Sequence, residues 1–209
     1  MTGIIVSYRT PALLATAYNS VRLFHPTMPL VIIDGSPKSD PCNWLATSLR
    51  SEHTTVYALE RNIGHGLGMH YAIERTHDEQ LLLIDSDVEI LASPVQAMAA
   101  QLGEGVYAVG EQYFIGRDGL HRNPVRDLPY IRPYFMLLSR TQYYRYHRFI
   151  HHGSPCIKAM LEINAAGLSD TALRPFDLTD HIRHGWGGTR KVNTENHQHE
   201  IPNTWETVT

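Results

Sequence analysis

The sequence has few cysteines and no long hydrophobic run, and each absence excludes a class of protein. Its 209 residues include two cysteines, Cys42 and Cys156, which lie far apart in the chain. This excludes a disulfide scaffold and the close ligand spacing of a zinc finger, and it indicates free thiols in a reducing compartment. A membrane helix needs about 20 apolar residues, and no segment approaches that length. The chain also starts without a signal-peptide pattern, so we expect a cytoplasmic protein with no membrane span.

An excess of basic residues is missing as well. Lys and Arg number 18 against 21 Asp and Glu, which gives a net charge of −3, so nucleic acid is not an expected partner. The segment 143–147 could still form a local nucleic-acid patch, but its pattern favours a partly exposed amphipathic helix. A hydrophobic content of 43% and a charged content of 19% are typical of one globular domain of this length.

The most informative stretch is a short apolar run that ends in two carboxylates. Four apolar residues, 81–84, are too few for a helix and predict a strand buried on both faces of a sheet. Asp85 and Asp87 follow directly. In an open α/β sheet, ligands bind beyond the carboxyl ends of the strands, and carboxylate oxygens suit Mg²⁺ or Mn²⁺. The alternative is that both aspartates only stabilise the following turn.

The first hundred residues alternate between strand and helix patterns. β-Branched apolar runs predict strands at residues 3–8, 30–33 and 54–59, and periodic segments predict helices at 12–24, 42–51, 69–76 and 94–102. Such βαβ units cross over with a right hand and make a parallel sheet. The polar residues at the strand ends should therefore meet along one edge: Tyr8, Asp34, Asn62, Asp85 and Asp87.

A glycine-rich segment, 61–68, precedes the predicted helix at 69–76. Its glycines would let the backbone approach a ligand closely and point helix amides at an anion; a flexible connection without binding is the other interpretation. After residue 105 the pattern loosens. Strands are predicted at 106–109 and 134–138, a long loop at 116–133 and a helix at 157–166.

Four segments in this order resemble the family 2 type of glycosyltransferase with a GT-A fold. They are residues 4–10 (IIVSYRT), 31–36 (VIIDGS), 61–66 (RNIGHG) and 83–88 (LIDSDV), and they cover roughly the first half of the chain. The resemblance implies a single α/β domain with a mostly parallel central sheet and helices on both faces. Residues 1–102 would bind a nucleotide-sugar, and residues 103–209 would bind the acceptor.

The resemblance also implies a donor site. Asp34 would recognise the base, the loop after Tyr8 would close over it, and Asn62 and Gly64 would border the nucleotide. The donor is expected to be UDP-linked. The full set of candidate donor-binding residues is Ser7, Tyr8, Arg9, Asp34, Arg61, Asn62, Gly64, Gly68, Asp85 and Ser86.

A metal site follows from the same resemblance. Asp85 and Asp87 would hold Mn²⁺ or Mg²⁺ together with the donor diphosphate. Family members often add a histidine before a late glycine-rich stretch, and His184 matches best, with His181 in reserve. The alternative is that both histidines are ordinary surface residues, since a His-x-x-His pair alone is a weak ligand signature.

The general base departs from the family pattern. Members carry an acidic pair before the late histidine, whereas segment 149–155 contains no carboxylate. His152, Asp127 and Glu111 are the candidates, and the alternative for His152 is that it shapes the acceptor pocket with its neighbour His151. Trp186 would stack on a sugar ring or pack in the core.

The leading hypothesis is a metal-dependent glycosyltransferase that moves a sugar from a nucleoside diphosphate to a hydroxyl of a glycan or other acceptor, with inversion. A nucleotidyltransferase uses a similar acidic site but should carry a basic, glycine-rich loop after the first strand, and segment 8–11 has no glycine. A degenerate fold that binds a nucleotide or glycan without turnover is the third hypothesis, favoured by the missing acidic pair.

Overall fold

A computed structural model describes residues 1–119, 127–151 and 153–185. These residues form nine strands and seven helices. The strands are β1 (Thr2–Ser7), β2 (Leu30–Asp34), β3 (Thr54–Ala58), β4 (Gln80–Asp85), β5 (Val88–Ile90), β6 (Ala108–Ile115), β7 (Leu128–Ser139), β8 (Leu173–Pro175) and β9 (Ile182–His184). The helices are α1 (Pro11–Phe24), α2 (Pro41–Ser48), α3 (His65–Ile73), α4 (Val95–Gln101), α5 (Arg140–Tyr143), α6 (Ile157–Ala165) and α7 (Ser169–Ala172).

Seven strands form the central sheet in the order β3-β2-β1-β4-β7-β6-β8. The first four are mutually parallel, β7 runs antiparallel to β4 and β6, and β8 is parallel to β6. Six strands therefore point the same way and one points the opposite way. The register pairs Ser7 with Asp34 and Val6 with Asp85, so the polar strand ends meet at one edge, as the sequence predicts.

The core has two layers, one on each face of the sheet. Alternate residues of a strand face opposite sides, so Ile4 and Val31 pack on the side of α3 and α6, whereas Ile5 and Ile32 pack on the side of α1 and α2. The predicted α/β class, with a mostly parallel sheet and helices on both faces, is confirmed. None of the helices in the described ranges combines the length and hydropathy needed to cross a bilayer.

Four predicted elements differ from the structure. Strand β6 begins two residues after the start of the predicted strand 106–109 and continues to Ile115. Helix α3 begins at His65, so the glycines at positions 66 and 68 lie inside a helix and the predicted loop 61–68 is too long. Strand β7 begins at Leu128, inside the predicted loop 116–133, because it pairs along its length with β6. The predicted helix at 143–147 is wrong: α5 ends at Tyr143, whose side chain is fully buried rather than exposed.

A second, two-stranded sheet lies beside the end of β4. Strand β5 follows Asp85 after a two-residue turn, and β9 pairs with it in antiparallel fashion, with Val88 opposite His184. This pairing brings a late segment of the chain to the edge where the parallel strands end.

Candidate active site

Asp85 and Asp87 stand at the end of β4 for a local reason. Residues 81–84 are buried on both faces of the sheet, so the strand continues until a charged side chain requires partial exposure. Asp85 is the last residue of β4, and Asp87 lies in the turn before β5. Their side chains are 25% and 7% exposed, so the Asp85 side chain is partly accessible to solvent and the Asp87 side chain is nearly buried.

His184 completes a three-residue cluster. The backbone amide of Gly185 donates a hydrogen bond to the carbonyl oxygen of Asp87 at 2.9 Å, which extends the β5–β9 pairing past His184. The Nε2 atom of His184 lies 3.2 Å from Oδ1 of Asp87 and 4.0 Å from Oδ2 of Asp85. One ligand atom from each of the three residues lies within 4.8 Å of the others. Antiparallel pairing between β5 and β9 thus selects His184, and not His181, for this cluster.

The cluster has the chemistry of a divalent-cation site. Two carboxylate oxygens and one imidazole nitrogen converge, and mixed oxygen and nitrogen ligands suit Mn²⁺ as well as Mg²⁺. Two carboxylates this close repel one another unless a cation lies nearby. The residues therefore fit the metal that the sequence predicts. His181 instead pairs through Nδ1 with the carbonyl oxygen of Ala92 at 3.0 Å.

Tyr134 covers one face of His184. The two rings stack with centroids 4.3 Å apart and planes at 17°. Burial raises the pKa of Tyr134, and the Glu111 carboxylate, with which the hydroxyl makes a hydrogen bond, raises it further. Glu111 also pairs with Arg132 at 3.0 Å. The β6–β7 register shifts between Gly110 and Gln112, and this irregularity brings Glu111, Arg132 and Tyr134 together beside the cluster.

His65 is a site residue that the sequence analysis missed. It is the first residue of α3, and its Nε2 atom lies 2.9 Å from Oδ1 of Asp85. Burial alone would lower the pKa of His65, but the charge of Asp85, the hydrogen bond with it and the charge of Asp87 together raise this pKa above its ordinary value of 6.5. The signal was present in the sequence, since His65 lies between two glycines of the family-like segment 61–66, but only the fold shows where it points.

The predicted base-recognition residue, Asp34, is fully buried. The Ser36 hydroxyl donates to its Oδ1 at 2.8 Å, and the Ser36 amide donates to Oδ2 at 3.2 Å. Burial raises the pKa of Asp34, and the hydrogen bonds from Ser36 and Cys42 partly offset this effect. In this conformation Asp34 organises its own loop, and a direct contact with a nucleotide base stays a prediction.

The loop after β1 is held by the same Ser36 and Cys42 side chains that surround Asp34. The Ser36 hydroxyl accepts a hydrogen bond from the amide of Arg9 at 2.9 Å, and Arg9 has a left-handed backbone with φ of 51°. Ser7 is buried, with its hydroxyl 3.1 Å from the Cys42 sulfur. The Arg9 guanidinium lies 5.2 Å above the ring of Tyr8. A non-glycine residue held at positive φ is a common feature of ligand-binding loops, which agrees with the predicted donor role of residues 7–9.

The remaining predicted donor residues lie after β3, within α3 and after β4. Asn62 Oδ1 accepts a hydrogen bond from the amide of Gly64 at 2.9 Å, and Arg61 is exposed. Ser86 is buried in the turn after β4. Gly68 lies within α3, where a Cβ would approach Val6 Cγ1 to 2.8 Å. The structure therefore gives Gly68 a packing role, and its nucleotide contact stays a prediction.

The structure describes two of the three candidate bases, Asp127 and Glu111. His152 lies outside the described residues, as does Trp186. Asp127 is half-buried and directly precedes β7. Glu111 is the candidate that the structure connects to the metal-ligand cluster, through the Tyr134 hydroxyl and the stack on His184.

Comparisons with known proteins identify the fold and the family of this chain. No curated protein matches the sequence, whereas the fold matches many solved structures. A mannosyltransferase from Pyrobaculum calidifontis, solved with GDP-Man and Mn²⁺, superposes with a TM-score of 0.61 at 14% identity, over 84% of this chain and 54% of that one. TarS from S. aureus, residues 1–349 in complex with UDP-GlcNAc, superposes with a TM-score of 0.61 at 14% identity. The match covers 90% of this chain and 60% of that one.

A third structure is glucosyl-3-phosphoglycerate synthase from Mycobacterium tuberculosis with Mn²⁺, UDP-Glc and glycerol 3-phosphate. It gives a TM-score of 0.60 at 17% identity, over 88% of this chain and 71% of that one. The chain thus spans little more than half the length of the mannosyltransferase, and identities this low establish the fold alone. The sequence profile described as Glycosyl transferase family 2 matches residues 2–163. This match covers most of the chain, which therefore belongs to glycosyl transferase family 2.

Proposed function

We propose that the protein is a metal-dependent glycosyltransferase that moves a sugar from a nucleoside diphosphate, UDP in the first instance, to an acceptor hydroxyl with inversion. The observation that carries this proposal is the convergence of Asp85, Asp87 and His184 within 4.8 Å at the carboxyl end of β4. Solved structures with the same fold contain Mn²⁺ with GDP-Man or UDP-Glc, which supports Mn²⁺ as the ion and a nucleotide-sugar as the donor.

The site residues account for the two halves of the reaction. A divalent ion held by the cluster would stabilise the negative charge that grows on the departing diphosphate. On the acceptor side, a hydroxyl must lose its proton as it attacks the sugar, so a base has to lie on the opposite face from the diphosphate. Glu111 is our candidate for this base, because its carboxylate borders the cluster through Tyr134. Arg132 holds that carboxylate in place at 3.0 Å.

One observation favours a second candidate function. Segment 149–155, which the family resemblance matches to the acidic pair, contains no carboxylate. A protein that binds a nucleotide-sugar or glycan without turnover would need the donor site but no base. Release of nucleoside diphosphate separates the two functions: the transferase produces it from donor and acceptor in the presence of Mn²⁺, and the binding protein does not.

The test of the donor site is calorimetric titration of UDP, GDP and their sugar conjugates, with and without Mn²⁺. Wild type should bind a nucleotide only with the metal, and Asp87→Asn should lose this binding. Asp170→Asn is the matched control, because Asp170 is exposed and lies in the remote helix α7. Nucleotide binding that is equally strong without metal, or unchanged in Asp87→Asn, would refute the proposed metal site.

A further inference from the structure

The proposed reaction does not use the contact between His65 and Asp85. The two oxygens of Asp85 face different partners: Oδ1 lies 2.9 Å from Nε2 of His65, and Oδ2 lies 4.0 Å from Nε2 of His184. The imidazole of His65 is therefore beside the metal-ligand cluster but outside it, since the three-residue group that converges within 4.8 Å comprises Asp85, Asp87 and His184.

Three glycines hold His65 in this place. Gly64 precedes the helix with φ of 83°, and a Cβ there would overlap the His151 ring. A Cβ on Gly66 would overlap the carbonyl oxygen of Ile150, and Gly68 faces Val6 of β1. The glycine pattern thus allows α3 to start against the 150–151 segment and to pack closely on the sheet. His65 projects from the first position of a helix whose placement is closely determined.

We propose that His65 is a positioning residue for the metal site: its Nε2, 2.9 Å from Oδ1 of Asp85, holds that oxygen and so directs Oδ2 toward Asp87 and His184. This inference rests on the proposed function, because it assigns His65 a role through a metal ligand. Carboxylates that bind metals are oriented by hydrogen bonds from neighbouring groups, and loss of such a partner costs 10-fold to 100-fold in metal affinity. Without His65, the Asp85 side chain would have to be ordered when the ion binds.

A counter-ion role for His65 predicts the opposite change in metal affinity. If His65 were a counter-ion that a metal must displace, its removal would strengthen metal binding by removing a competing positive charge. The positioning role requires a donated hydrogen bond and no charge, so a neutral amide should replace the imidazole. His65→Gln keeps an N–H donor at a similar distance from the backbone, and His65→Phe keeps a planar ring without a donor.

The experiment measures Mn²⁺ binding alone, without nucleotide, by the loss of the free Mn²⁺ signal in electron paramagnetic resonance. We expect His65→Phe to weaken binding about tenfold and His65→Gln to stay within about threefold of wild type. Thermal unfolding without metal tests whether both variants keep the wild-type fold. Unchanged or tighter binding in His65→Phe would overturn the proposal, and so would equal losses in both folded variants.

Asp87→Asn distinguishes this failure from failure of the proposed function. If Asp87→Asn loses Mn²⁺ binding while His65→Phe retains it, the metal site stands and the role of His65 is wrong. If wild type binds no Mn²⁺, or Asp87→Asn binds it as well as wild type, the proposed function itself fails and the role of His65 fails with it.

Discussion

The Tyr143 hydroxyl connects three segments of the chain: the end of α5, the last turn of α3 at His70, and the segment at Phe149. It lies 2.9 Å from Nδ1 of His70 and accepts a hydrogen bond from the amide of Phe149 at 3.2 Å. Burial lowers the pKa of His70, which favours the neutral form of the ring. Its Nε2 lies 3.2 Å from Glu74, which places the proton on Nε2 and leaves Nδ1 to accept from the tyrosine. Tyr143→Phe would remove a partner from two buried groups at once.

The expected cost follows from these two contacts. A buried polar group left without a partner costs about 1–3 kcal/mol, so the loss of both partners should lower the free energy of unfolding by about 3 kcal/mol. For a chain of this size, that corresponds to a fall of roughly 6–12 °C in the unfolding midpoint. Urea and thermal unfolding of Tyr143→Phe measure the change. Tyr144→Phe is the matched control, because the neighbouring Tyr144 is 49% exposed. A loss below about 0.5 kcal/mol for Tyr143→Phe would refute the reasoning.

Three further predictions concern the site and the core. Tyr134→Leu removes the ring that stacks on His184 and should weaken Mn²⁺ binding several-fold, whereas Tyr134→Phe should bind Mn²⁺ as wild type does. Equal Mn²⁺ affinities of Tyr134→Leu and wild type in calorimetry would contradict a role for the stack. Cys42 and Cys156 are fully buried, and burial raises the pKa of both thiols, so a thiol reagent should label them only as the protein unfolds, and rapid native labelling would contradict this. Because burial lowers the pKa of His70 below 6.5, the unfolded chain binds a proton that the native state does not, and stability should fall as the pH drops below about 6.5. Between pH 7.5 and pH 5.5, the denaturant midpoint should fall less in His70→Gln than in wild type. An identical fall in both proteins would exclude His70 as the cause.

The first half of the chain was predictable because its signals are local. Each parallel strand is a short, continuously apolar run between polar turns, and each following helix has its own periodic pattern, so neighbouring residues are enough to identify both. The edge that gathers Asp34 and Asp85 follows from the shared direction of parallel strands. The predicted start of α3 was wrong because the true start depends on contacts with distant residues. Gly66 and Gly68 are poor helix formers by themselves, and their place in a helix depends on Ile150 and Val6, which are distant in the chain.

The sequence by itself determined the α/β class, the position of Asp85 and Asp87 at a strand end and, through four short segments, the family. The tertiary structure decided which histidines lie beside Asp85 and Asp87. His184 reaches Asp87 because β9 pairs with β5, and His65 reaches Asp85 because α3 packs tightly against β1 and the 150–151 segment. These contacts join residues far apart in the chain, and they depend on strand pairing and on packing space, which no local pattern of residues encodes.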